Sequence, residues 1–200
     1  MICLWMERIE RIIEKLNHIA IVMEMPKFPC VKIEISNNSI DFVSVFIKSR
    51  IDENWLILAN DSAHHQQQLW TAWLFAQRSF HNGRALARSI DAEFLRYIAG
   101  THHVSEAFKT VGFGHGDKSA WLIYLPKFEL IDGEYYPIID EKMYNNEVIR
   151  LSKEVEFEVI ESNLSFNQNG LAKLGIDFDI DGEKMLNILI SNIISTDLNS

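Results

Sequence analysis

The first apolar residues of the chain, Leu4, Ile9, Ile12, Ile13 and Leu16, recur at helical spacing among Glu and Arg, which predicts an amphipathic helix ending near Asn17. The stretch HIAIVMEM at 18–25 reads as a strand, and Pro26 and Pro29 then break the pattern, so residues 1–28 read as an extension. Val31 to Ile35 alternates apolar and polar as a half-buried strand does. Asn37 to Ser39 supply turn and cap residues for a helix through Phe42, Val45 and Phe46. The short apolar run NWLILA at 54–59 reads as a central strand, making a β-α-β beginning.

A long helix is expected after Asp61 or Ser62, with Leu69, Ala72, Trp73, Ala76 and Phe80 on one face, and Gly83 stops it. Ser89 or Asp91 caps a second helix with Phe94, Leu95 and Ile98 facing inward, and Gly100 ends it. Thr101 caps a third, carrying Val104, Ala107, Phe108 and Val111, which ends at Gly112. SAWLIYL at 119–125 and EVEFEVI at 154–160 read as strands, with Pro126 and DGEYYP as turn material between them. A last helix from Glu183 to about Ser195 carries Leu186, Leu189, Ile190, Ile193 and Ile194. The expected fold class is α+β: a mixed β-sheet packed with several helices, forming one domain over 29–200 behind the extension at 1–28.

Composition changes this picture little. An apolar fraction of 48%, a charged fraction of 24%, 12 Phe and 5 Trp fit a folded globular chain. Cys3 and Cys30 form no disulfide framework or zinc spacing, and Glu7 onward interrupts any apolar leader, so no membrane segment and a cytoplasmic setting are expected. Charge is more informative. The net charge is -9, yet from Arg78 to Lys109 five bases (Arg78, Arg84, Arg88, Arg96 and Lys109) face three acids (Asp91, Glu93 and Glu106). Contact with a polyanion therefore requires this local reversal of sign.

Candidate chemistry is sparse. GFGHG at 112–116 follows a helix and precedes a strand, the wrong context for a phosphate loop, and reads as a helix cap and turn. Adjacent side chains in His64–His65 and His102–His103 diverge on a helix, and only His102 has an acid at i+4, Glu106, so no metal site is expected. DFDIDGE at 177–183 lacks calcium-loop spacing and reads as a turn. No nucleophile motif, isolated carboxylate pair or Walker sequence occurs, so neither catalysis nor a cofactor is expected.

The segment HHQQQLWTAWLFAQRSFHNGRALARSIDAEFLRYIAGTHHVSEAFKTVGF at 64–113 resembles the signature of the small kinase-binding subunit of the KEOPS complex, the PRPK-binding protein family. The matching features are Ala72 and Ala76 in the long helix, GRALA at 83–87, EFLRYIAG at 93–100, and the frame of Val104, Ala107 and Gly112. The resemblance spans roughly Trp55 to Leu125, with weaker similarity in LAKLGI at 171–176 and the final helix. Residues 1–28 and much of 126–170 have no counterpart. Gln68 stands where the family has histidine, and GTHHV at 100–104 places His102 where the family has arginine.

The resemblance implies a non-catalytic subunit of the machinery that installs threonylcarbamoyladenosine in tRNA, one that binds and regulates a Bud-type kinase and holds the tRNA 3′ CCA end. Arg84, Arg88, Arg96, His102 and Lys109 are the expected tRNA contacts. Leu186, Ile190 and Ile193 are the expected kinase contacts, because the last helix carries more apolar residues than one buried stripe requires. The alternative is a small-ligand or nucleotide-binding regulatory enzyme using the GFGHG loop with His102 and His115.

Overall fold

The computed structural model describes residues 26–35, 42–114 and 116–198. The expected N-terminal helix and strand, the turn at Asn37 to Ser39, and His115 lie outside the described residues.

Four strands, β1 (Cys30–Ile35), β2 (Trp55–Ala59), β3 (Ser119–Tyr124) and β6 (Phe157–Ile160), form a sheet in the order β2-β3-β1-β6. Every ladder is antiparallel, so the fold is α+β as expected but the sheet is not mixed. β1 and β2 run parallel with β3 inserted between them, and β2 is an edge strand instead of a central one. It reads as central because both its faces are covered. Leu56 and Leu58 enter one apolar cluster and Trp55 and Ile57 the other. A backbone bridge between Leu58 and Gly112 covers part of its open edge.

Helices pack on both faces. One layer holds α2 (Gln66–His81), α3 (Ile90–Ala99), α4 (Val104–Val111) and α7 (Gly182–Leu198). The opposite layer holds α1 (Phe42–Ser49), through Phe42 and Phe46, and α5 (Glu141–Val155), through Val148, Leu151 and Val155. The short α6 (Gln168–Lys173) adds Leu171 to a satellite cluster with Met185 and Leu189 of α7. Phe28, assigned by sequence to the extension, is buried with its ring 4.6 Å from that of Trp70.

Several expectations need correction. α2 begins at Gln66, because His65 takes the cap position and its ring nitrogen accepts the Gln67 N–H. Phe80 and Phe108 share helical spacing with core residues but are exposed: Phe80 lies in the last turn of α2, and Phe108 sits off the face of α4 that buries Ala107 and Val111. DGEYYP is only partly a turn. Asp132 and Gly133, with φ of 51° and 82°, make the tight turn of a hairpin between β4 (Lys127–Ile131) and β5 (Glu134–Ile138).

Candidate nucleic-acid interface

α2 ends at His81, and Gly83, at φ +65°, turns the chain back. The N–H groups of Arg84 and Ala85 both donate to the Ser79 carbonyl, at 2.8 and 3.1 Å, which holds the start of the 83–89 loop against the helix it has just left. The Ser79 hydroxyl meets Tyr97 Oη at 2.7 Å, and Tyr97 Oη donates to Asp197 Oδ1 at 3.0 Å, so the end of α2 is tied through α3 to α7.

The carboxylates near this loop already have partners. Asp91 Oδ2 takes Arg50 Nη1 at 2.5 Å, and the same nitrogen donates to the Trp55 carbonyl at 2.7 Å. Glu93 forms a two-pronged ion pair with Arg96: Nη2 to Oε1 at 2.8 Å and Nε to Oε2 at 3.2 Å. Glu93 Oε2 also accepts the Ala87 N–H at 2.8 Å, and Arg96 Nη1 donates to the Thr101 carbonyl at 2.8 Å. Both side chains of this pair are fully buried, with the guanidinium 5.0 Å from the centre of the Tyr97 ring. One buried ion pair therefore joins the 83–89 loop to the turn between α3 and α4.

This corrects the expected role of Arg96. It is 0% exposed with its donors directed at Glu93 and Thr101, so it joins the two loops from inside the protein and is not presented at the surface. Arg84 and Arg88 are exposed, and no ion pair to either occurs among the described residues. Their nearest acids in sequence are committed to Arg50 and Arg96. His102 is half-buried and Lys109 exposed, both beyond the clamp on the side of Thr101. Glu106 does not serve His102; its Oε2 accepts the Thr101 hydroxyl at 2.6 Å.

The expected kinase contacts also need correction. Ile190 and Ile193 are buried in the main core with α2 and α3, and Leu186 packs half-buried against it. The surplus apolar residues of α7 arise because the helix serves two clusters at once, Ile190, Ile193 and Ile194 in one and Met185 and Leu189 in the other.

The alternative chemistry fares differently at each site. Within the glycine-rich loop the Gly114 N–H donates to Asp117 Oδ2 at 2.7 Å, so a carboxylate stands where an anion would need a donor. Among the described residues no three His, Cys, Asp or Glu side chains are grouped closely enough to hold a metal ion. Burial pushes the Cys30 thiol up to about 12, which leaves no thiolate for nucleophilic attack near neutral pH.

His64 is structural. It is 1% exposed, its Nδ1 accepts the Asn167 N–H at 3.3 Å, and its own N–H donates to Gln68 Oε1 at 2.9 Å. Gln68 Nε2 in turn donates to the Ser62 carbonyl at 3.3 Å, giving Gln68 a buried bracing role. Burial lowers the His64 pKa from 6.5 to about 4, so the folded protein keeps this ring neutral. Below pH 6.5 the unfolded chain takes up a proton that the folded chain refuses, so stability falls with pH until about 4, where both states hold it. The expected loss is up to about 3 kcal/mol. His64→Asn retains an acceptor for Asn167 but cannot titrate. Urea unfolding at pH 7.5 and 4.5 should show a smaller pH effect in that variant than in the unaltered protein; equal effects exclude His64 as the cause.

No family model matches the chain, and no curated protein is found to be similar to it. No helix among the described residues is long and apolar enough to cross a membrane.

Proposed function

We propose that this chain is a non-catalytic subunit of a KEOPS-type tRNA threonylcarbamoyladenosine machinery, binding and regulating a Bud-type kinase and holding the 3′ CCA end of tRNA in the cytoplasm. The observation that carries the RNA part is that neither Arg84 nor Arg88 has an ion pair among the described residues. Both are exposed on a braced loop while Asp91 and Glu93 are held by Arg50 and Arg96, in a chain of net charge -9. Exposed guanidinium groups without carboxylate partners are available to phosphates, and His102 and Lys109 extend the surface past the clamp. The kinase partner rests on the resemblance across Trp55 to Leu125.

Two phosphate contacts release about two counterions, so Arg84→Ala with Arg88→Ala should flatten the slope of log affinity for tRNA against log salt by about 1 to 2 units. Stability should change little, because both guanidinium groups are exposed and have no ion pair among the described residues. Filter binding at several salt concentrations checks this. An unchanged slope removes the loop from the RNA surface.

A further inference from the structure

The β4–β5 hairpin lies in the part of the chain without a counterpart in the family resemblance, and its two faces differ sharply. The register pairs Phe128 with Pro137 and Leu130 with Tyr135 on one face. On the other, Lys127 pairs with Ile138, Glu129 with Tyr136 and Ile131 with Glu134. Every charged strand residue is thus on the second face, and the first is wholly uncharged.

That uncharged face meets the end of α2. The His81 ring stands edge-on to Phe128 at 5.6 Å and to Tyr135 at 5.8 Å, and the Phe128 and Tyr135 rings are 4.7 Å apart. The base of the hairpin is fixed to the same helix, since the Pro126 carbonyl accepts from Trp73 Nε1 at 2.8 Å and from Gln77 Nε2 at 3.0 Å. The core covers this surface only in part: Phe128 and Tyr135 pack against it and stay half-buried, while Leu130 and His81 are exposed. Three residues beyond His81 is Arg84, whose N–H is fastened back onto Ser79. The aromatic face therefore meets the helix end from which the loop of Arg84 and Arg88 departs, and neither guanidinium has an ion pair among the described residues.

We propose that the aromatic face of the β4–β5 hairpin is a stacking platform for the unpaired bases of a single-stranded RNA end whose phosphates meet Arg84 and Arg88. Planar aromatic side chains beside cationic groups are what sequence-tolerant binding of single-stranded nucleic acid requires, because every base offers a π-face and every linkage a negative charge. The inference rests on the RNA-end reading above and adds to it the surface that takes the bases.

The test uses the full chain and a short fluorescent single-stranded RNA ending in CCA, with affinity read by anisotropy across a salt series. Tyr135→Leu keeps apolar bulk but removes the aromatic face, and it should weaken binding about tenfold without changing the salt slope. Tyr135→Phe should bind like the unaltered protein. Leu130→Glu, at an exposed position where the fold should tolerate it, puts a negative charge on the platform and should weaken binding by a similar factor. If Arg84→Ala with Arg88→Ala flattens the slope while Tyr135→Leu and Leu130→Glu bind normally, the platform is wrong and the RNA-end reading stands. If none of these changes affects binding, both fall. Loss of kinase co-purification in Leu130→Glu with RNA binding intact assigns the face to a protein and overturns the proposal.

Discussion

Arg96→Ala should destabilise the protein by about 3–5 kcal/mol, because it leaves the buried Glu93 carboxyl group without its cation. The Thr101 carbonyl loses its donor in the same change. Chemical denaturation at neutral pH measures the effect, and a loss below about 1 kcal/mol, the range of an exposed pair, contradicts the burial described here. Replacing both partners, Arg96→Met with Glu93→Leu, removes the uncompensated charge and should recover much of the stability. It does not restore acceptance of the Ala87 N–H or donation to Thr101. The double variant should therefore fold and yet bind RNA more weakly, which separates placing the loop from holding the fold together.

Gly170→Ala should cost about 3 kcal/mol, at the upper end for overpacking. A Cβ at this position would lie 1.5 Å from the Asp61 carbonyl oxygen and 2.9 Å from His64 Cε1, and the first of these is backbone that cannot rotate away. Retreat of α6 would strain its other attachments: Asn167 on His64, Lys173 Nζ on Asp61 Oδ2 at 2.8 Å, and the fully buried Leu171. Gly182→Ala is the control, since its nearest neighbour, Phe166 Cε2, would be at an ordinary 3.5 Å and alanine favours the helix it enters. Thermal melting of the two variants should give a large fall for the first and no fall for the second. Equal melting temperatures contradict the close approach of α6 to the 61–64 turn.

Much of the fold was legible because local signals agreed with burial. Helix α3 has Phe94, Leu95 and Ile98 inward, Ser89 before it and Gly100 in the left-handed conformation after it, all readable from spacing and caps. The strand order was not legible, since an all-apolar run such as Trp55 to Ala59 reports burial on both faces and not its neighbours. Helix α5 is absent from the sequence expectation although its signals are local: Asp140 caps it, its side chain accepting the Met143 N–H, and Val148, Leu151 and Val155 follow at helical spacing. In the candidate site, Arg84 and Arg96 look alike in sequence as arginines near helix ends. What separates them is that Glu93 lies one turn before Arg96 on the buried face of α3, a pairing that spacing allows but burial decides. The aromatic face of the hairpin was hidden for another reason, because Phe128 and Tyr135 become neighbours only once Asp132 and Gly133 close the turn.

If the protein holds the end of tRNA through a braced basic loop, as proposed, the full chain must distinguish intact tRNA from the same tRNA trimmed of its 3′ CCA. The trimmed tRNA should bind markedly more weakly, and the difference between the two RNAs should shrink in the Arg84→Ala, Arg88→Ala double variant. Equal affinity for intact and trimmed tRNA in the unaltered protein would contradict it.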